Sequence, residues 1–368
     1  TKEGAQMSQK DVPPTRTTAA TVADGPAEPE LKPTKAAPVP PSPKPDMSMR
    51  GFVKELRRIH QNSESQSFVF LLGAGASVTS DIPGAEKLAR DWLAELHEQD
   101  ANHGIVPFDQ WLDEKRHGIE GLDPKNIAAS YPDIFDRRFA SNPNLGYAFL
   151  TSLMKDAQPG YGYSVLATML AESRHKAVVT TNFDSLVERA LLYYTNHTPL
   201  TCTHETTAGA FHKGLSRPLI VKCHRDLLLD PHNGRRETNT LHDNFGKALE
   251  SLLPGRVLIV VGYGGNDRSL MTFLKSLDPK YWPEAVYWCY WEPGGAPEAG
   301  IQAWVTKHNG RMVPIPGFDE LMAGIAGEWS AEIDSPSGFC ESSATDPVPI
   351  GTNTPPSRRA TLSDPAAM

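Results

Sequence analysis

The chain has 368 residues, 39% of them apolar and 22% charged, which suits one large or two modest domains with a genuine core. Its net charge of −8 provides no global electrostatic footprint for DNA or RNA. No apolar run approaches the roughly 20 residues that span a bilayer, and the N-terminus lacks the apolar stretch of a secretory signal.

Taken in chain order, residues 1–46 hold ten prolines and no aromatic residue. Such a stretch buries too little surface to offset its ordering entropy and reads as a disordered, Pro-rich leader. Phe68–Leu72 is a short apolar run of the kind that forms a buried parallel strand. From Ala85 to His97, Leu88, Trp92 and Leu96 stand four apart on one helical face. The segment 98–165, punctuated by Pro107, Pro124, Pro132, Pro143 and Pro159, is read as an inserted helical subdomain or lid. Ala177–Thr180, Pro218–Cys223, Val257–Val261, Ala285–Trp291 and Arg311–Ile315 continue the strand-like runs. Leu186, Ala190 and Leu191 mark the helix after the second run, and Leu270, Phe273 and Leu274 the helix after Val261. Residues 334–368 return to Pro, Ser, Thr and Gly and read as a disordered, linker-like tail. The chain is expected either to be a fragment of a longer protein or to use its tails as tethers.

Strands alternating with helices predict an α/β fold, a Rossmann-like doubly wound parallel sheet over residues 47–333 with the helical insertion inside it. The cysteines Cys202, Cys223, Cys289 and Cys340 form no CxxC pair, so neither a zinc site nor a disulfide framework is written in their spacing. A reduced, cytoplasmic protein is expected, with Cys223 and Cys289 as buried thiols.

Four motifs follow four of these strands. Gly73-Ala74-Gly75-Ala76-Ser77 lets the backbone turn sharply and approach a pyrophosphate at a helix N-terminus; with Val78 in place of a third glycine it is also readable as a tight turn. Thr181-Asn182-Phe183-Asp184 either caps the next helix or turns Asn182 toward a ribose or a water. Lys222-Cys223-His224-Arg225 puts an imidazole, the natural general base near neutral pH, at a strand end; the alternative is a structural histidine. Most other histidines, such as His212, His232 and His242, lie in polar surroundings. Gly262-Tyr263-Gly264-Gly265-Asn266-Asp267 permits close approach of backbone to a ligand, or is a glycine turn with Asp267 as helix cap. Together the motifs converge on one sheet edge, where ligands bind in this architecture.

The ordered set Gly-Ala-Gly-Ala-Ser with Asp81-Ile82-Pro83, Thr-Asn-Phe-Asp, Lys-x-His and Gly-Tyr-x-x-x-Asp resembles the sirtuin-like domains of prokaryotic anti-phage defence proteins, which degrade NAD⁺. The resemblance spans about Phe52 to Met322. It implies that Gly73, Ala74, Gly75, Ala76, Ser77 and Asp81 form the nucleotide-binding loop. Thr181, Asn182 and Asp184 would surround the nicotinamide ribose and carboxamide. His224 would be the catalytic histidine assisted by Asn182, and Gly262, Tyr263, Gly264 and Asp267 would close the adenosine side. The zinc-ribbon cysteines of protein-deacylating sirtuins are missing, which speaks against deacylation and against a metal. Arg225 and Gly264 stand where that family usually carries glycine and serine.

The implied activity is NAD⁺ hydrolysis to nicotinamide and ADP-ribose by a defence effector. It would be gated by an activating partner, a fused sensor module or homo-oligomerisation. The alternatives are a non-catalytic sensor or scaffold that binds NAD⁺ or ADP-ribose, and a zinc-less ADP-ribosyl or acyl transferase acting on protein.

Overall fold

The computed structural model describes residues 47–102, 104–203, 215–224 and 243–329. The leader and tail, Arg225, Cys340 and the histidines at 212, 232 and 242 lie outside the described residues.

Seven strands form one sheet in the order β3-β4-β2-β1-β5-β6-β7. They are β1 (Ser67–Leu72), β2 (Ala177–Thr180), β3 (Leu200–Cys202), β4 (Leu219–Lys222), β5 (Arg256–Val261), β6 (Ala285–Trp291) and β7 (Arg311–Ile315). Every neighbouring pair is parallel. A parallel sheet is covered on both faces, so its strands must be apolar throughout. In β1, Phe68, Phe70 and Leu72 enter one core while Val69 and Leu71 enter the other. β5 repeats the alternation, with Val257, Ile259 and Val261 opposed to Leu258 and Val260.

One face is covered by α1 (Met49–Asn62), α6 (Tyr161–Glu172), α7 (Leu186–Ala190) and α11 (Phe318–Trp329). The other carries α8 (Asp243–Leu252), α9 (Arg268–Ser276) and α10 (Ala299–Lys307). The doubly wound α/β architecture read from the sequence is therefore the one observed.

Between β1 and β2, a third core joins α2 (Ala85–Glu98), α3 (Phe108–Asp113), α4 (Tyr131–Arg138) and α5 (Pro143–Lys155) around Trp92, Trp111 and Phe135. Its limits differ from the span 98–165 read from the sequence. α2 supplies Leu88, Trp92 and Leu96 to this cluster, whereas α6 packs on the sheet. α6 is buried along almost its whole circumference, from Gly162 to Ala171, so it carries no polar stripe to distinguish it from an insertion helix. Among the described residues no helix is long and apolar enough to cross a membrane.

Candidate functional site

The register brings the four motifs to one level. Leu72 pairs with Thr180 on one side and Val261 on the other, and Thr180 pairs with Lys222. The chain leaves β1, β2, β4 and β5 side by side at their carboxyl ends, and the direction of winding reverses between β1 and β5, where ligand crevices form in open α/β sheets.

The β1 and β5 loops are locked backbone against backbone. The Gly73 N–H donates to Val261 O (3.0 Å) and the Gly75 N–H to Gly262 O (2.9 Å). A Cβ on Gly73 would lie 2.5 Å from Gly262 O, and one on Gly262 would lie 2.2 Å from Ala76 N at a φ of +67°. These glycines thus have a packing reason to be glycine, as the tight-turn reading of the motif expects. The chain then enters a seven-residue 3₁₀ turn, Ala74–Ser80, rather than an α-helix. The dipole of a long helix is therefore not available to favour an anion there. Asp81 closes this turn in a left-handed conformation with φ of 62° and is exposed.

Ser77 is the centre of a buried polar network. Its Oγ donates to Asp184 Oδ2 (2.8 Å), lies 2.9 Å from the Tyr163 hydroxyl, and accepts from Asn182 Nδ2 (3.0 Å). Asn182 Nδ2 also donates to Gly73 O (3.1 Å). The Asn182 backbone N–H is held by Thr180 Oγ1, whose own hydroxyl donates to Leu72 O. Asp184 Oδ1 accepts from Leu186 N–H at 3.1 Å, although the N-cap position of α7 is Ser185, whose side chain makes no capping bond. Burial raises the Asp184 carboxyl above its ordinary range, against the pull of Ser77, Leu186 and Lys222. Burial and the nearby Asp184 charge push the Tyr163 hydroxyl well above its ordinary value.

Lys222 underpins the β2 loop. Its ammonium, fully buried, donates to Asp184 O (2.7 Å) and lies 3.2 Å from Glu188 Oε1. Burial raises the Glu188 carboxyl, and the Lys222 charge opposes that rise.

His224 belongs to a second cluster. Its Nε2 lies 2.5 Å from Asp267 Oδ2, and the two side chains are only 8% and 12% exposed. Asp267 caps α9 with its other oxygen, which accepts from Ser269 N–H, Ser269 Oγ and Leu270 N–H at 2.8–3.2 Å. Burial works to raise the Asp267 carboxyl, yet the His224 charge and the donated hydrogen bonds outweigh it and hold it below its ordinary value. The Tyr263 hydroxyl donates to Asp267 O at 3.4 Å. The two clusters are joined through backbone, by the Cys223 N–H donating to Thr180 O (2.9 Å).

Two cavities flank the Ala74–Ser80 turn. A small one of about 100 Å³ is lined by Ala74, Ser77, Thr181, Asn182 and Asp184, and is roofed by Leu153 and Met154 of α5. A larger one of about 370 Å³ lies beyond Gly75 and Gly262, walled by Val78, Ile315, Phe318 and Trp291. Gly264 is exposed at the β5 loop.

Sequence reading singled out neither Tyr163 nor Glu188. Tyr163 sits in a largely apolar helix, away from any of the four strand-end motifs, and Glu188 is one acid in a short helix. Only the tertiary fold shows what they touch. Among the described residues, Cys202, Cys223 and Cys289 are buried and form no disulfide with one another, and no group of three or more metal-ligating side chains gathers.

No protein-family model and no curated protein matches the chain. Among solved structures, a mutant Sir2 homologue in complex with ADP-ribose is 14% identical, the match covering 76% of this chain and 99% of that one with a TM-score of 0.38. A Sir2 homologue in complex with NAD is 16% identical over 75% of this chain and 94% of that one, with a TM-score of 0.36. A sirtuin structure concerned with substrate affinity is 13% identical over 75% and 98%, with a TM-score of 0.39. At these identities and scores the likeness by itself assigns neither a family nor an activity to this chain.

Proposed function

We propose that this protein binds NAD⁺ across the Ala74–Ser80 turn and hydrolyses its nicotinamide–ribose bond, releasing nicotinamide and ADP-ribose. The observation that carries this reading is the convergence at one sheet edge of a buried Ser77–Asn182–Asp184 network, a His224–Asp267 pair and a cavity on each side of the turn. A dinucleotide has two ends to house. The smaller cavity, with its amide and carboxylate, suits the nicotinamide and its ribose. The larger one, walled by Trp291 and Phe318, suits a flat base.

Breaking the glycosidic bond builds positive charge on the ribose. Such a step asks for positioning and for fixed dipoles or negative charge nearby more than for covalent chemistry. In this reading Asp184 and Asn182 supply the negative and dipolar surroundings, and Asn182 orients the ribose or the attacking water. His224 accepts the proton that the water or a ribose hydroxyl gives up. The activity is held in check by a partner, a fused module or self-association, in keeping with a defence effector that consumes a common metabolite.

A second reading has its own support. The Asn182 amide already donates to Gly73 O and Ser77 Oγ, as it would in a domain that binds the dinucleotide without cleaving it. Incubation with NAD⁺, alone and with candidate activators or acceptor proteins, separates the readings. Nicotinamide release lost in both Asn182→Ala and His224→Ala supports hydrolysis. Saturable NAD⁺ binding without release under all conditions supports a sensor, and release only with an acceptor protein supports transfer.

A further inference from the structure

Asp267 does two things with its two oxygens, and the second bears on the chemistry. Oδ1 is taken by the three donors at the start of α9, which fixes the carboxylate plane. Oδ2 is then aimed at His224 Nε2 from 2.5 Å. An ionised carboxylate only accepts hydrogen bonds, so Nε2 must carry a proton. In the neutral ring the nitrogen able to take a proton is therefore Nδ1.

We infer that Asp267 is a positioning residue for His224: it fixes the imidazole as the Nε2–H tautomer, leaves Nδ1 as the base, and stabilises the imidazolium that forms. This rests on the hydrolase reading. In the proton step the O–H bond of a water or ribose hydroxyl breaks as an N–H bond forms at Nδ1. The ring becomes cationic, and the charge is met by a carboxylate that is already ordered. Because that carboxylate is also the helix cap, the placement of the ring is tied to the folded start of α9 rather than to a loop side chain.

Asp267→Asn tests this without removing the cap, since asparagine is as good an N-cap as aspartate. Its oxygen keeps the Ser269 and Leu270 donors, and its NH₂ then faces Nε2. The ring must respond by moving its proton to Nδ1. With ¹⁵N-labelled histidine, and the His224 signal identified by its loss in His224→Gln, the wild type is expected to show an Nε2-protonated ring and Asp267→Asn an Nδ1-protonated one. Ser269→Ala, which removes one donor from Oδ1 only, should lower the melting temperature and leave the tautomer as in the wild type.

Nicotinamide release should fall about 100-fold or more in kcat with little change in KM, as happens where such a pair is broken with its geometry kept. An unchanged tautomer in Asp267→Asn, or undiminished kcat, would overturn the inference. If the wild type releases no nicotinamide the hydrolase reading fails on its own, while the tautomer still decides whether Asp267 orients the ring.

Discussion

Replacing His175 should remove a measurable part of the acid sensitivity of folding. His175 is fully buried, stacked on Phe68 with ring centroids 3.8 Å apart. Its Nδ1 accepts from the Phe68 N–H at 3.1 Å, and its Nε2 lies 2.9 Å from His60 Nδ1. A second proton would have to enter at Nδ1, where an N–H already points. Burial, with the Arg174 charge and His60 adding to it, lowers its pKa to about 2, against roughly 6.5 for an unfolded histidine. The folded value is depressed, so between these limits the unfolded chain binds a proton that the native chain refuses. The contribution of this group is fully present above pH 6.5 and is lost as pH falls. Below pH 6.5 the slope is about 1.4 kcal/mol per pH unit, and the loss from pH 7 to pH 5 is about 2 kcal/mol. Urea unfolding of the wild type and His175→Phe at both pH values reads this directly. The variant is less stable at pH 7, because Phe68 N–H and His60 lose a partner, but its stability should fall about 2 kcal/mol less on acidification. Equal pH slopes in the two proteins would refute the reasoning.

Gly262→Ala should destabilise by about 3 kcal/mol or more, because a Cβ at positive φ meets backbone of the β1 loop that cannot move aside cheaply; the melting temperature would read it. Lys222→Met should cost about 3 kcal/mol by leaving Glu188 and the Asp184 carbonyl without their cation, and adding Glu188→Gln should recover part of the loss in denaturant unfolding. Ser77→Ala should cost about 2 kcal/mol near neutral pH, since the carboxylate of Asp184 loses its hydroxyl donor. The raised Asp184 carboxyl means that this penalty grows as pH rises through its titration, so melting temperatures of variant and wild type should diverge more at pH 7.5 than at pH 4.5.

Six of the seven strands were legible as apolar runs, because a strand buried on both faces has no polar positions to hide it. β3 was not: at three residues on the sheet edge, with Leu200 exposed and only Cys202 buried, it leaves no run to read. α2 was legible from Leu88, Trp92 and Leu96, whose spacing matches the helical period. α1 went unassigned despite burying Phe52, Val53 and Leu56, because its five apolar residues are interleaved with five charged ones and form no apolar run.

The same division holds at the candidate site. That four motifs end four strands follows from local sequence alone, since strand ends and glycines are local signals. Their meeting depends on the register Leu72–Thr180, Leu72–Val261 and Thr180–Lys222, which pairs residues far apart in the chain. Sequence alone left Asp267 as a helix cap with a resemblance-based place on the adenosine side. Only the tertiary structure put it against His224, 43 residues earlier, and only there does the choice of carboxylate oxygen decide which nitrogen of the ring holds the proton. Local pattern determines what each segment becomes. The packing of distant segments determines which polar groups must satisfy one another, because a buried donor or acceptor is costly to leave alone.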